Sequence, residues 1–158
     1  MSTQQDILFL QQAVQLATQS VAKGGGPFGA VVVKDEEIIG RGYNQVTIIN
    51  DPTAHAEVMA IRDACKNIID FNLNECTLYA SCEPCSMCIS SIYWARIIRV
   101  VYAASAEDAS QAGFDDTALA SEICKSYTQR AMEIKQLDCQ NKIQSFELWN
   151  LKDDKTLY

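Results

Sequence analysis

Hydrophobic residues recur at helical spacing near the start of the chain. Apolar side chains lie mostly three or four positions apart from Ile7 to Val21, which predicts an amphipathic helix over residues 6–23. The glycines of residues 24–26 and then Pro27 follow directly, and both residue types end helices. The chain is therefore expected to open with a helix that packs its apolar side against a core.

Shorter apolar runs after this helix predict strands. Residues 28–34 and 38–43 are rich in valine, isoleucine and aromatic residues, and the acidic residues 35–37 predict a hairpin turn between them. The run at residues 97–103 is almost continuously apolar, as expected for a strand that is buried on both faces. The pattern predicts further strands at residues 76–80 and 132–137, and helices at residues 54–69, 84–95, 117–124 and 141–151. A hairpin followed by alternating strands and helices predicts an α/β fold with a mixed sheet of about five strands.

The size and composition of the chain predict one globular domain. A length of 158 residues is enough for a single substantial core, so we expect residues 1–158 to form one domain. No apolar run approaches the ~20 residues of a membrane span, and residues 7–10 are too short for the core of a signal peptide. We therefore expect a cytoplasmic protein with no membrane partner.

The cysteine count and the net charge narrow the possible functions. Seven cysteines is an odd number in a chain without a secretion signal, which favours metal binding and buried free thiols over a disulfide framework. The net charge is −7, and the 13 lysines and arginines are scattered along the chain. Nucleic-acid binding relies on clusters of these basic residues. The sequence therefore predicts no nucleic-acid partner and favours a small, uncharged substrate.

Two short motifs carry the candidate chemistry. His55 is the only histidine, Glu57 follows two positions later, and Cys85 and Cys88 form a Pro-Cys-x-x-Cys motif farther along. The two cysteines share one face of a predicted helix near its N-terminus, where the helix dipole favours thiolates. Thiolate sulfur and imidazole nitrogen are ligands that zinc prefers. The motifs predict a zinc site with ligands His55, Cys85 and Cys88, provided that the helix carrying His55 starts end-on to the metal.

The role of such a zinc ion depends on Cys82 and Glu57. Cys82 lies three positions before Cys85, so it could complete a closed structural site of three cysteines and one histidine. A catalytic zinc instead keeps an open position for water, and a nearby carboxylate can take the proton of that water. Glu57 supplies such a carboxylate. We therefore favour a catalytic zinc, with a zinc-stabilised interaction domain as the alternative.

The spacing of these motifs is the signature of zinc-dependent deaminases that act on nucleobases. Over nearly its full length the chain resembles the bacterial-type guanine deaminases of the cytidine-deaminase superfamily. The matching segments are residues 25–34, 50–57, 81–85, 92–96 and 112–116. The resemblance implies a three-layer α-β-α fold and the hydrolytic deamination of guanine to xanthine and ammonia. Related tRNA adenosine deaminases lack the Phe-Asp-Asp sequence of residues 114–116 and are basic.

The resemblance also implies a role for each residue of the site. His55, Cys85 and Cys88 would hold one zinc ion per subunit. Glu57 would move protons between water and substrate, and Asp116 would read or protonate the base. The implied contacts to the purine come from Phe28, Asn44, the Ala56 backbone N–H, Trp94 and Tyr158.

The implied partners are a small purine and a second copy of the chain. In the family that the chain resembles, the C-terminal segment crosses to the partner subunit, so residues 141–158 would be exchanged in a homodimer. Tyr158 would then close the partner's site. The enzyme alternatives are a deaminase of guanosine or another aminated heterocycle and a tRNA adenosine deaminase.

Overall fold

A mixed sheet of four strands, in the order β2-β1-β3-β4, supports the fold. The strands are β1 (Gly29–Lys34), β2 (Glu37–Tyr43), β3 (Thr77–Cys82) and β4 (Arg99–Ala104). β1 pairs antiparallel with β2 and with β3, whereas β3 and β4 are parallel. The structure is a computed structural model that describes residues 2–158, and the chain divides into two units, residues 2–120 and 121–158.

Helices cover both faces of this sheet. α1 (Thr3–Ala22) covers one face, and α3 (Ala56–Ile68) and α4 (Ser86–Trp94) cover the other. The remaining helices of the described residues are α2 (Val46–Ile49), α5 (Ala106–Gln111), α6 (Thr117–Cys124) and α7 (Gln144–Asn150). Because successive strand residues point to opposite faces, Val31 and Val33 pack towards α1, whereas Ala30 and Val32 pack towards α3 and α4. The three-layer α-β-α fold is confirmed.

Two glycines let α3 lie directly on β2. A Cβ atom on Gly42 would collide with backbone atoms of Ala56 and Ala60, and a Cβ on Gly40 would collide with the Ala60 carbonyl. Only residues without a side chain allow the helix backbone to come this close to the strand. The contact begins at the first residue of α3, so it fixes the helix end that follows His55.

A hydrogen-bonded cluster ties the start of α1 to the sheet. Arg99 donates to the Asp6 carboxylate at 2.7 Å, and the Tyr79 hydroxyl donates to the same carboxylate at 2.6 Å. The hydrogen bond from Arg99 holds the pKa of Asp6 below its usual value, and burial raises the pKa of Tyr79 to about 12. Asp6 lies on α1, Tyr79 on β3 and Arg99 on β4, so the cluster joins three elements.

The structure confirms the predicted helices and the first strands, and it differs at three points. The strand predicted at residues 132–137 is wrong, since these residues form no strand and Leu137 is 78% exposed. An alternating pattern makes a strand only beside a partner that supplies hydrogen bonds, and none of the described residues pairs with this segment. The sheet therefore has four strands, not five. The short helices α2 and α5 were not predicted, because four and six residues are too few for a periodic pattern.

The burial predicted for residues 97–103 is also wrong. Ile97 is buried, but Ile98 is 87% exposed, and the residues of β4 are at most half-buried. β4 forms one edge of the sheet, so a run of apolar residues there does not report burial on both faces.

The second unit, residues 121–158, contains the end of α6, a short 3-10 turn at Tyr127–Gln129 and helix α7. Local hydrogen bonds shape its first part: Arg130 donates to the Ile123 carbonyl at 2.8 Å, and the Glu122 carboxylate accepts the Ala131 N–H at 2.8 Å. Apart from Glu122 and Arg130, which are half-buried, every residue of this unit is exposed. The unit thus carries no buried core of its own.

Candidate metal centre and substrate cleft

Two helix starts bring the three predicted ligands together. His55 is the N-cap of α3, Cys85 is the N-cap of α4, and Cys88 lies in the first turn of α4. Both N-cap residues have extended backbone, so their side chains are not bound to the helical periodicity. Because His55 precedes α3 and Glu57 lies in its first turn, the two side chains can both reach the metal region at the start of this helix.

The distances among the ligand atoms suit a zinc ion. Nδ1 of His55 lies 3.6 Å from Sγ of Cys85 and 3.6 Å from Sγ of Cys88. Tetrahedral zinc, with bonds of about 2.3 Å to sulfur and about 2.0 Å to nitrogen, separates these two ligand types by about 3.6 Å. All three ligand atoms lie within 4.8 Å of one another. Two thiols and one imidazole in this arrangement fit zinc and leave a fourth position open.

The electrostatics of the site favour a thiolate. A hydrogen bond from Cys88, together with the nearby His55, lowers the pKa of Cys85 to about 4. The same contact with Cys85 raises the pKa of His55 above its usual value. Zinc binds the deprotonated thiol, so Cys85 is prepared to be a ligand at neutral pH.

Glu57 provides a buried carboxyl group beside the ligands. It lies in the first turn of α3 and is only 7% exposed, and this burial raises the pKa of its side chain. A carboxylate that accepts and returns protons works best when its pKa lies close to neutral, and burial shifts Glu57 in that direction. The position of Glu57 next to His55 and Cys88 suits proton transfer at the open metal position.

Cys82 does not belong to the group of candidate metal ligands. Its Sγ donates to the Ser105 carbonyl at 3.4 Å, and among the described residues the group able to hold a metal consists of His55, Cys85 and Cys88. Burial raises the pKa of Cys82, which keeps its thiol protonated. Cys82 therefore acts as a hydrogen-bonded wall residue.

A cleft of about 840 Å³ opens over the candidate metal centre. Phe28 and Phe114 meet in its wall with an edge-to-face contact, at 5.0 Å between ring centroids. Asn44 and Asp116 add polar groups to the lining, and Asp116 is near enough to contribute to the raised pKa of His55. An aromatic wall with a few polar groups is the usual lining of a site for a flat heterocycle.

The cleft contains some of the residues predicted to act on the purine. Phe28, Asn44 and Asp116 line it with Glu57. Ala56 is fully buried, and as the first residue of α3 its N–H has no partner within the helix.

Trp94 and Tyr158 are the remaining predicted contacts. Trp94 ends α4, is 67% exposed and does not line the cleft. It follows Cys85 by nine residues, which places it roughly 13 Å farther along the helix. The contact of Trp94 with the purine stays a prediction. Tyr158 belongs to the second unit and is exposed.

Two lining residues escaped the sequence analysis. Phe114 follows Gly113, whose φ of +92° turns the chain, and its ring faces Phe28. The Glu83 carboxylate accepts the Ala106 N–H at 3.2 Å and so connects the loop before α4 to the start of α5. The Phe-Asp-Asp sequence of residues 114–116 is the available signal for Phe114, although the sequence alone does not show that its ring packs on Phe28.

Residues 3–104 match the family model of the cytidine and deoxycytidylate deaminase zinc-binding region. The chain belongs to the cytidine and deoxycytidylate deaminase family. The matched segment contains both helix starts that carry the ligands, so the predicted zinc cofactor is confirmed by the family and by the grouping of His55, Cys85 and Cys88.

Individual relatives narrow the comparison within the deaminase family. The chain is 50% identical to the guanine deaminase of Bacillus subtilis over 95% of its own length and 97% of the relative's. The X-ray structure of guanine deaminase from Bacillus subtilis superposes with a TM-score of 0.92, at 48% identity, covering 100% of this chain and 99% of that one. A tRNA-specific adenosine deaminase of Streptococcus pyogenes is 37% identical over 92% of this chain and 91% of its own.

The structure also bears on the membrane prediction. Within residues 2–158, no helix combines the length and the apolar character that crossing a bilayer would need.

Proposed function

We propose that the protein catalyses the hydrolytic deamination of guanine to xanthine and ammonia. The observation that carries the proposal is a buried glutamate beside a His-Cys-Cys group that fits zinc, in the lining of a cleft with an aromatic wall. The similarity to the guanine deaminase of Bacillus subtilis, which extends over nearly both chains, supports guanine as the substrate.

Glu57 is the proposed proton carrier. Zinc held by His55, Cys85 and Cys88 would supply Lewis-acid chemistry that makes water a nucleophile near neutral pH. Glu57 accepts one proton from the attacking water and donates it to the neighbouring ring nitrogen. It then takes the proton of the hydroxyl group that has been added to the ring carbon and donates it to the leaving amine, so that the carbonyl group forms as ammonia departs. Its burial supports this double role, because a raised pKa lets one carboxyl group act first as base and then as acid.

The cleft walls are proposed to hold the purine ring flat. Phe28 and Phe114 offer apolar ring surface on one side. Asn44 and the free N–H of Ala56 would hydrogen-bond the base edge, and Asp116 would accept or donate a proton at a second edge. These contacts supply orientation, which is the main contribution of a pocket to a reaction with bound water.

We also propose that the protein is a homodimer in which residues 141–158 reach the partner subunit. Large apolar side chains are exposed in residues 121–158: Ile123, Met132, Leu137, Phe146, Leu148 and Leu151. The first unit exposes Ile69, Tyr93, Trp94 and Ile98. Exposed apolar surface on this scale is typical of protein interfaces. In such a dimer Tyr158 would close the partner's cleft, and exposed Trp94 would pack in the interface.

A substrate panel tests the proposed activity. The purified zinc-loaded protein is incubated separately with guanine, guanosine, adenine, cytosine and a tRNA that contains adenosine, and ammonia release is measured for each substrate. We expect turnover with guanine and little with the other four. Guanosine as the preferred substrate would move the assignment to a nucleoside deaminase. The main alternative is the deamination of adenosine in tRNA, because the chain is 37% identical to a tRNA-specific adenosine deaminase. Turnover of this substrate alone would overturn the proposal.

A further inference from the structure

A hydrogen-bonded connection joins the last turn of α1 to the substrate cleft. Ser20 is fully buried, and its Oγ donates to the backbone carbonyl of Asn44 at 2.9 Å. The Ser20 carbonyl accepts the N–H groups of Lys23 and Gly25, each at 2.9 Å. Ser20 therefore holds both the turn that follows α1 and the residue that follows β2, and Gly25 and Asn44 both line the cleft.

The amide of Asn44 has a defined orientation. Its Oδ1 accepts two backbone N–H groups, from Gly26 at 3.3 Å and from Val46 at 3.3 Å. A backbone N–H can only donate, so the side-chain atom that the two share must be the oxygen. The Nδ2 group has no partner among residues 2–158, and Asn44 lines the cleft. Asn44 thus presents donors, and no acceptor, to a molecule in the cleft.

The same connection holds the aromatic wall. The Asn44 N–H donates to the Phe28 carbonyl at 3.0 Å, and the Phe28 N–H donates to the Gly26 carbonyl at 2.9 Å. A Cβ atom on Gly25 would collide with the Ser20 Oγ and the Asn44 carbonyl oxygen, so the turn is packed against the hydrogen bond itself. Displacing Asn44 would therefore move Phe28 as well.

We propose that Ser20 is a positioning residue for substrate recognition. It holds the backbone of Asn44 in place, while the N–H groups of Gly26 and Val46 orient the Asn44 amide so that only N–H donors face the cleft. Together these bonds select a base with an acceptor atom, such as a carbonyl oxygen, over one with an amino group at that place. This inference rests on the proposed deamination of guanine. Ser20 itself touches no substrate and acts through Asn44 and the glycine turn.

Steady-state kinetics on Ser20→Ala test the proposal. Without the hydroxyl, the Asn44 carbonyl loses its hydrogen bond to Ser20. We therefore expect KM for guanine to rise about tenfold while kcat stays within about twofold. The thiol of Ser20→Cys is a weaker donor than the hydroxyl, so KM for guanine in this variant should lie between the values of the wild type and of Ser20→Ala. Thr18→Val is the matched control, because it removes a hydroxyl two residues away on α1 that donates only to the exposed Val14 carbonyl. It should leave both constants unchanged.

Asn44→Asp tests the donor directly and keeps the fold. A carboxylate still accepts the N–H groups of Gly26 and Val46, but it shows an acceptor to the cleft, so KM for guanine should rise more than in Ser20→Ala. Melting temperatures are measured for all variants.

The outcomes separate this inference from the proposed function. If the wild-type protein does not deaminate guanine, the proposed function itself is wrong. An active wild type with unchanged KM in Ser20→Ala, or a KM in Asn44→Asp equal to the wild-type value, overturns the positioning role. A Ser20→Ala variant that loses thermal stability and active fraction but keeps its KM would show a structural hydroxyl only, and would equally overturn it.

Discussion

Cys82 decides, at the scale of single residues, whether the metal site is open or closed. Its spacing from Cys85 and Cys88 would allow three thiols to surround one ion, yet its Sγ donates to the Ser105 carbonyl instead. The open fourth position over the cleft depends on this hydrogen bond, because a fourth protein ligand would exclude the water that hydrolysis requires.

Replacing Cys82 with serine should therefore leave the metal in place. The serine hydroxyl can make the same hydrogen bond to Ser105, so we expect an unchanged zinc content and an unchanged number of sulfur ligands in X-ray absorption spectra. Cys88→Ser is the matched comparison and should lose one sulfur ligand. A lost sulfur ligand in Cys82→Ser would identify a closed structural site.

The metal ligands could be predicted from the sequence because their chemistry depends on residue type and close spacing. His55, Glu57, Cys85 and Cys88 lie in two short motifs, and each motif starts a helix. Phe114 and the anchoring role of Ser20 could not be predicted in this way. The partner of Ser20 is 24 positions away, and only the folded turn after α1 brings the two together.

The packing of α3 on β2 links the elements of the fold to the site. The helix backbone rests on Gly40 and Gly42, and the contact at Gly42 involves Ala56, the residue directly after His55. The position of one metal ligand and of Glu57 therefore depends on a strand that contributes no chemistry.

Gly42→Ala should consequently weaken both the fold and the metal site. The added methyl group has no space against the α3 backbone, so we expect the free energy of unfolding to fall by about 1–3 kcal/mol and zinc to bind less tightly. Denaturant unfolding and competition with a zinc chelator measure the two effects. Arg41→Ala, an exposed side chain on the same strand, is the control. Unchanged zinc affinity in Gly42→Ala would show that the metal site does not depend on the packing of α3 against β2.

Most of the elements that could be predicted have an apolar pattern that matches a local face. Helices α1, α3 and α4 and strands β1 to β3 pack inside residues 2–120, and their periodicity reports that packing directly. The pattern failed where apolar residues are exposed: Ile98 on the edge of the sheet and Leu137 in the second unit. A sequence pattern indicates that an apolar side chain is favoured in a buried position, but it does not show whether the same chain or another one covers that side chain.

At the scale of the whole molecule, residues 121–158 carry apolar side chains without a core of their own. A unit of this length cannot bury enough apolar surface to be stable alone. The proposed homodimer, with residues 141–158 exchanged, gives these side chains a place to pack.

Subunit complementation tests the exchange. Co-expression pairs a Glu57→Gln chain, which keeps its C-terminal segment, with a chain that ends at residue 140 and keeps Glu57. Each variant alone should be inactive. In a mixed dimer the intact segment would serve the intact Glu57 site, so the mixture should recover about a quarter of the wild-type activity.

The matched control replaces the truncated chain with one that carries both changes, and it should stay inactive. Full activity of the truncated chain by itself would exclude any role of the segment in the site. An inactive mixture that contains mixed dimers would mean that each segment serves its own chain.

The central claim is that Glu57 moves the protons of guanine hydrolysis at a zinc site built by His55, Cys85 and Cys88. The most direct measurement compares zinc content and ammonia release from guanine for the wild type and for Glu57→Gln. The amide has the same shape but takes no proton, so the account predicts an unchanged zinc content and a kcat lower by a factor of about 10²–10⁴. Wild-type turnover by a zinc-loaded Glu57→Gln protein would contradict it.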